Sequence, residues 1–251
     1  MRRDIDEALH GWPSNAEPGD VVAREIAARD GRKVLQIRVE LGVLQMEVEG
    51  RPDGVRPHGY PTYLEYLQHR AAMKSARAAD WKMSAEHGVE VDREFSQYYH
   101  RRVAWLTLQR YDKALLDADH SLALMDFVLE YSASQEYIDT HERFRGLVLF
   151  HRTQAAAALA LERRKPDEAI DSVRAGIGRL ADHQRDWAAD ADRDDTPNET
   201  LVAQLRVLEE EIRKNFEVEK TLGEQLDEAV ADEDYERAAK IRDLIRARSG
   251  R

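Results

Sequence analysis

The 251-residue sequence contains no cysteine. That absence excludes disulfide bonds, thiolate chemistry and cysteine-ligated zinc. It contains no long apolar run, and Met1-Arg2-Arg3 leads into Asp4, Asp6 and Glu7. Neither a signal peptide nor a membrane span is expected, and the cytoplasm is the default location. No glycine-rich phosphate loop follows a strand, which removes the nucleotide-binding fingerprints. There is no Gly-x-Ser-x-Gly elbow and no His-Glu-x-x-His. With no visible set of nucleophile, base and orienting group, the expectation is a non-enzyme without cofactor or metal.

Charge is abundant. Forty-nine acidic residues stand against 38 basic ones, a net charge of −11. That balance disfavours unspecific nucleic-acid binding, which rests on Lys and Arg. The length allows one large or two small domains with a buried core. The pattern predicts an α+β fold, predominantly α.

Residues 1–59 are expected to form an irregular arm and a small β region, with Trp12 anchoring the arm. Leu35, Ile37, Val39 and Leu41 alternate with polar residues, and after Gly42 the phase shifts to Leu44, Met46 and Val48. A shift of one residue at glycine predicts a bulge or a tight turn. Asp30-Gly31 is a hairpin signal. The result is an antiparallel sheet of two or three strands. The tandem Arg51-Pro52-Asp53-Gly54 and Arg56-Pro57-His58-Gly59 suits two β-turns. The plainer reading is a connection from sheet to helix. The functional one is a ligand loop in which Arg51, Arg56 and His58 grip an anion.

Residues 60–188 read as a helical domain. One helix is expected from Pro61 to about Glu86, broken by Gly88, with Arg70, Lys74, Arg77 and Lys82 near one side. A helical hairpin follows over 91–132, then a long helix from about Ser134 to Arg163. The starts at Arg110–Leu115 and Lys165–Ile170 resemble tetratricopeptide turns. From Ala114 to Ala169 is 55 residues, against ~34 for that repeat, so the likeness is degenerate. Such an array offers a concave groove to a peptide or protein. Asp117 and His120 share a helical face, but nothing supplies the rest of a metal set, and both read as polar surface. His141 and His151 read as structural. Tyr98, Tyr99 and Trp105 beside Arg101 and Arg102 read as a helix interface with snorkelling arginines.

Residues 189–197 read as an acidic linker, with a capping box at Thr196–Glu199. Residues 198–221 read as a coiled-coil-like helix through Leu201, Leu205, Leu208 and Ile212, running on into the next element as a charged stalk. Residues 222–248 carry two amphipathic patterns across an acidic turn. Leu222, Leu226, Ala229 and Val230 lie on one face of the first, and Tyr235, Ala238, Ile241 and Ile245 on one face of the second. Asp234 suits an N-cap, with Glu236 in the first turn. An antiparallel helical hairpin is expected, with small Ala238 and Ala239 allowing close approach.

The run Leu226-x-x-Ala229-Val230-x-x-Glu233-Asp234-Tyr235-Glu236-Arg237-Ala238-Ala239-x-Ile241-Arg242-Asp243-x-Ile245 resembles the UVR motif, named for the excision-repair proteins UvrB and UvrC. The motif also occurs in activators of a protein-arginine kinase and in some Clp-type chaperones. The resemblance implies a protein-docking hairpin with partner-binding residues Leu222, Leu226, Ala229, Val230, Tyr235, Ala238, Ala239, Ile241, Arg242 and Ile245. It covers only the tail of the chain, and the kinase activators' paired cysteines are absent. From Glu217 to Ala247 there are ten acidic and five basic residues, a balance of −5. That speaks against DNA as the tail's ligand and for a charge-complementary protein, a second UVR hairpin in another protein or a homodimer. The leading expectation is a non-enzymatic adaptor with a further partner on its helical body. The alternatives are a DNA-repair accessory using the basic helix, and an enzyme with its site at the Arg51–His58 turns.

Overall fold

The computed structural model describes residues 5, 9, 10, 12, 21–39, 42–75, 81–188 and 196–249. The fold is α+β and predominantly α. The chain divides into two compact units, 1–148 and 149–251.

The first unit opens with a three-stranded antiparallel meander: β1 (Val22–Ala27), β2 (Lys33–Val39) and β3 (Gly42–Glu47). Gly31 takes a positive φ of 85° in the first turn, where Asp30 accepts the Arg32 N–H. The register pairs Ile37 with Leu44, Leu35 with Met46 and Val39 with Gly42. The phase shift thus falls at the two-residue connection between paired Val39 and Gly42 and not at a bulge within a strand. Leu35, Ile37 and Met46 therefore share a face, and all three are buried. On the other face the Arg24 guanidinium lies 3.8 Å from the Trp12 ring centre and bonds Gln36. Trp12 is thereby anchored on the sheet, and its amide donates to the Leu9 carbonyl at 3.0 Å; apart from Ile5, Leu9 and His10, the rest of the expected arm lies outside the described residues.

Helices α1 (Tyr63–Ser75), α2 (Ala85–Thr107), α3 (Tyr111–Tyr131) and α4 (Gln135–Glu142) complete this unit. Tyr63, Leu64, Leu67, Val91, Leu124, Phe127, Val128 and Ile138 form their common core. The expected helix end at Gly88 is not observed. Residues 81–84 form no helix, and α2 begins at Ala85 and runs through Gly88. Ser84 and His87 cap that start, and the Tyr137 ring packs over Gly88, 3.4 Å from where a Cβ would stand.

The division between units falls within α5 (Arg145–Glu162). The single helix expected from Ser134 is two helices, parted at Arg143-Phe144. The second unit continues with α6 (Pro166–Ala188), α7 (Thr196–Phe216), α8 (Leu222–Ala231) and α9 (Tyr235–Ser249). The expected acidic linker at 189–195 and the side chains of Thr196 and Pro197 lie outside the described residues. Helices α6 and α7 pack along each other, and Ile170, Val173, Leu180, Leu205 and Ile212 are buried. The leucine spacing of α7 is thus satisfied within the chain. Gly176 lets α5 and α6 approach: a Cβ there would lie 2.2 Å from Thr153 Oγ1.

Four helices stop on a residue with positive φ that is not glycine: Gln109, Arg164, Glu217 and Glu233. In each case the next amide donates back across six residues, as Val218 N to Arg213 O at 3.1 Å and Asp234 N to Ala229 O at 2.8 Å. This closes the orphan carbonyls of the last turn. Glu217 is where the expected continuous stalk ends. Arg213 supports the break by donating to the carbonyls of Val218 and Glu219.

Candidate docking hairpin

Helix α8 starts on a reciprocal cap. The Glu224 N–H donates to Thr221 Oγ1 at 3.1 Å, and the Thr221 N–H donates to Glu224 Oε2 at 2.7 Å. Thr-x-x-Glu is a readable capping box, and it is the signal that sequence reasoning passed over by starting at Leu222. Helix α9 starts as expected, with the Arg237 N–H donating to Asp234 Oδ1 at 3.0 Å. Glu228 faces Lys220 at 2.8 Å and Arg237 at 3.6 Å, and Lys220 holds its carboxyl below the ordinary range.

The motif's apolar residues divide into two sets. Ala229, Ala238 and Ile241 are buried together, with Leu222, Leu226 and Ile245 packed against them. These six are the hairpin's own core, so the seam expected to meet a partner is already closed. Val230, Tyr235 and Leu244 are instead 52 %, 68 % and 55 % exposed. Tyr235 does not join the face of Ala238 and Ile241. It opens α9 at the acidic turn, close in sequence to Val230 at the end of α8. Ala239 is half-buried, and exposed Arg242 pairs with Asp243 at 3.0 Å.

At its base the hairpin meets α6 and α7 through polar groups. Thr221 Oγ1 donates to Asp171 Oδ1 at 2.6 Å. Glu224 pairs with Arg213 at 2.7 Å and Arg174 at 2.9 Å. Burial pushes the Asp171 carboxyl up, and the Thr221 hydroxyl offsets this only in part. Burial would also raise Glu224, but the Thr221 amide and Arg213 outweigh it and leave it lowered. The expected stalk therefore does not carry the hairpin away from its unit.

The Arg51–His58 loop does not form an anion grip. Arg51 is 3 % exposed and turned inward, 3.2 Å from Glu90 and 3.6 Å from Glu94. Arg56 and His58 remain exposed; Arg56 bonds the Gly59 carbonyl, and the His58 ring stacks on Tyr66 at 4.0 Å. Glu94, fully buried, accepts the Tyr63 and Leu64 amides at 2.6 and 3.1 Å and so caps α1. It also lies 3.0 Å from His120 Nε2.

Asp117 and His120 are not polar surface. Asp117 is buried and takes two bonds from Arg101, at 2.9 and 2.7 Å. His120 stacks on Tyr98 at 3.7 Å. Arg101 and Arg102 do not snorkel. Both are buried, Arg101 reaching Gly50 O at 2.7 Å and Arg102 reaching Ser121 at 2.8 Å. Burial lowers the Arg102 guanidinium to about 10, whereas Asp117 outweighs burial at Arg101 and raises it. This network joins the sheet's exit to α2 and α3, and its partners are far apart in sequence. His141 is buried against Asp92 and the Tyr137 carbonyl, as structural residues are.

The expected basic face is not one helical face. Arg70 is tied to Tyr66, and Lys82 lies on the non-helical stretch before α2, bonded to the Glu130 carbonyl. Arg77 and the side chain of Lys74 lie outside the described residues. Among the described residues no group of three His, Asp or Glu is arranged to hold a metal ion. Among them, too, no helix is long and apolar enough to cross a membrane.

Comparison with known families matches the UvrB/uvrC motif to residues 220–247. That span holds the Thr221 cap, all of α8 and α9 as far as Ala247. No curated protein and no solved structure matches the chain.

Proposed function

We propose that this chain is a non-enzymatic, cytoplasmic adaptor whose C-terminal hairpin docks onto another protein. The observation that carries the reading is the hairpin's division into a closed core and an exposed set. A ten-residue helix and its partner bury Ala229, Ala238 and Ile241 among themselves, yet leave a valine, a tyrosine and a leucine in water. Solvent-facing side chains of that size are the material of small interfaces, where tyrosine anchors are common. The UVR-motif match over the same residues supports the same reading.

The acidic balance of the tail favours a partner with complementary charge. A UVR-bearing protein without this acidic excess supplies an apolar patch of matching size, whereas a second copy of this chain supplies the patch but repeats the −5 balance. The helical body holds a further partner. An open cleft of ≈ 460 Å³ between the start of α2 and the α3–α4 connection, lined by Met83, Gly88, Val89 and Tyr137, is its candidate seat.

The test is a tagged pull-down with mass spectrometry, comparing the full chain with a Val230→Ser/Tyr235→Ser variant. The adaptor reading expects one or more partners lost from the variant while others persist. Identical partner sets would remove the hairpin from recruitment.

A further inference from the structure

We propose that the hairpin is a hinged body, and that the cluster around Asp171 and Thr221 is the latch that sets its pose. Three observations on the second unit carry this.

The hairpin's apolar core is made of its own residues: Ala229, Ala238 and Ile241, with Leu222, Leu226 and Ile245 against them. Its integrity therefore does not depend on α6 or α7. The contacts at its base are of another kind. Thr221, fully buried, gives its hydroxyl hydrogen to Asp171 at 2.6 Å, while Glu224 takes Arg174 at 2.9 Å and Arg213 at 2.7 Å. Charged groups that part regain hydration, so breaking these contacts costs less than separating an apolar seam of the same size. Gly223 keeps the joint close, since a Cβ there would lie 2.8 Å from Asp171 Oδ1.

Room and a pivot are both present. Beyond the latch an open cleft of ≈ 780 Å³, lined by Pro166, Asp167, Phe216, Gln225, Glu228 and Arg237, separates the hairpin from the start of α6. The connection Glu217–Lys220 begins on a residue at φ 53° and carries no helix. Rotation there re-aims Val230 and Tyr235 without altering the hairpin itself. The latch is charge-dependent: Asp171 holds Thr221, and Glu224 is held by two arginines from two different helices. Breaking both halves releases α8 from Asp171 and Arg174, while Arg213 still holds the Val218 and Glu219 carbonyls at the pivot. The inference stands on this geometry and needs no partner, so its failure is separate from a failure of the docking reading.

The absence of native cysteine makes the test direct. Nitroxide labels at Ala175→Cys on α6 and Ala231→Cys at the end of α8, both exposed positions, report the pose in the full chain. A second pair, Ala231→Cys with Ala247→Cys, reports the hairpin itself. The wild-type background is expected to give one narrow 175–231 distance. Asp171→Ala broadens it and adds a longer population, and Asp171→Ala/Glu224→Gln makes the longer population dominant. Thr221 is left in place so that α8 keeps its cap. The 231–247 distance stays unchanged throughout. An unchanged 175–231 distance in the double variant would overturn the latch. So would a wild-type distance as broad as the variant's, or loss of the 231–247 distance along with the pose.

Discussion

Two glycines on α6, two residues apart, are predicted to respond oppositely to the same substitution. In a helix interior, Gly→Ala gains about 1 kcal/mol from propensity and from the narrowed unfolded ensemble. At Gly178 nothing lies within 4 Å of the added Cβ, and the position is exposed. Gly178→Ala should therefore stabilise the unit by about 1 kcal/mol. At Gly176 the added Cβ would fall 2.2 Å from Thr153 Oγ1, 2.3 Å from its Cγ2 and 2.8 Å from its Cβ. Thr153 has no easy escape: it is fully buried and its hydroxyl is bonded to the Leu149 carbonyl at 2.8 Å. Both methyl and hydroxyl are too close, so α5 and α6 must part along their length. Overpacking of this kind costs ~1–3 kcal/mol, and the contact below 2.8 Å puts this case at the upper end. Set against the propensity gain, Gly176→Ala should lose ~1–2 kcal/mol. Urea denaturation followed by Trp187, the tryptophan of this unit, reads both as midpoint shifts at constant slope. Thr153→Ala should recover part of the Gly176→Ala loss, a non-additivity expected of neighbours. If both alanines stabilise the unit, the close approach of α5 and α6 is wrong.

Two further perturbations probe the buried charges. Glu94→Gln removes the charge that caps α1, while Arg51 keeps Glu90 and Asp53; it should cost ~1–3 kcal/mol, the range for weakening a buried hydrogen-bond acceptor, read as a lowered Tm of the first unit. Asp171 has a folded pKa raised by burial above its unfolded 3.8, so the folded state binds the extra proton in that window. Its contribution to stability thus grows as pH falls from neutrality through the carboxylate range, and is lost as pH rises. Compared with Asp171→Asn over the same range, the wild type should gain stability on mild acidification. Parallel curves for the two proteins would contradict the buried carboxylate. Glu224, whose pKa is lowered, acts with the opposite sign and only below the ordinary carboxylate value of 4.5.

The elements that the sequence made legible are those with local signals. The alternation in β2 and β3, the Asp30-Gly31 turn, the helix starts at Tyr111, Pro166 and Tyr235, and the motif itself all read from neighbours in the chain. Gly88 misleads because its place in α2 is held by Tyr137, whose hydroxyl bonds the Gly88 carbonyl at 3.0 Å from 49 residues away. The break at Glu217 is silent because a glutamate, not a glycine, takes the left-handed position. Arg51, Glu94, Arg101 and Asp117 look like loop and surface residues until the fold brings them together across 16 to 43 positions. In the hairpin, periodicity identifies the apolar residues but not which of them the hairpin consumes. Only packing separates Ala238 and Ile241, turned in, from Val230 and Tyr235, left out.

The central claim is that the exposed residues at the hairpin's acidic turn are the docking surface. The most direct measurement is the affinity of the full chain for a partner recovered by pull-down, by titration calorimetry, for wild type, Tyr235→Ala and Leu116→Ala. Tyr235 and Leu116 are equally exposed, at 68 %, so neither change should move the Tm appreciably. The account predicts that Tyr235→Ala weakens binding by about tenfold or more, as truncation of a tyrosine anchor does, while Leu116→Ala binds as wild type. Unchanged affinity for Tyr235→Ala, or an equal loss for Leu116→Ala, would contradict it.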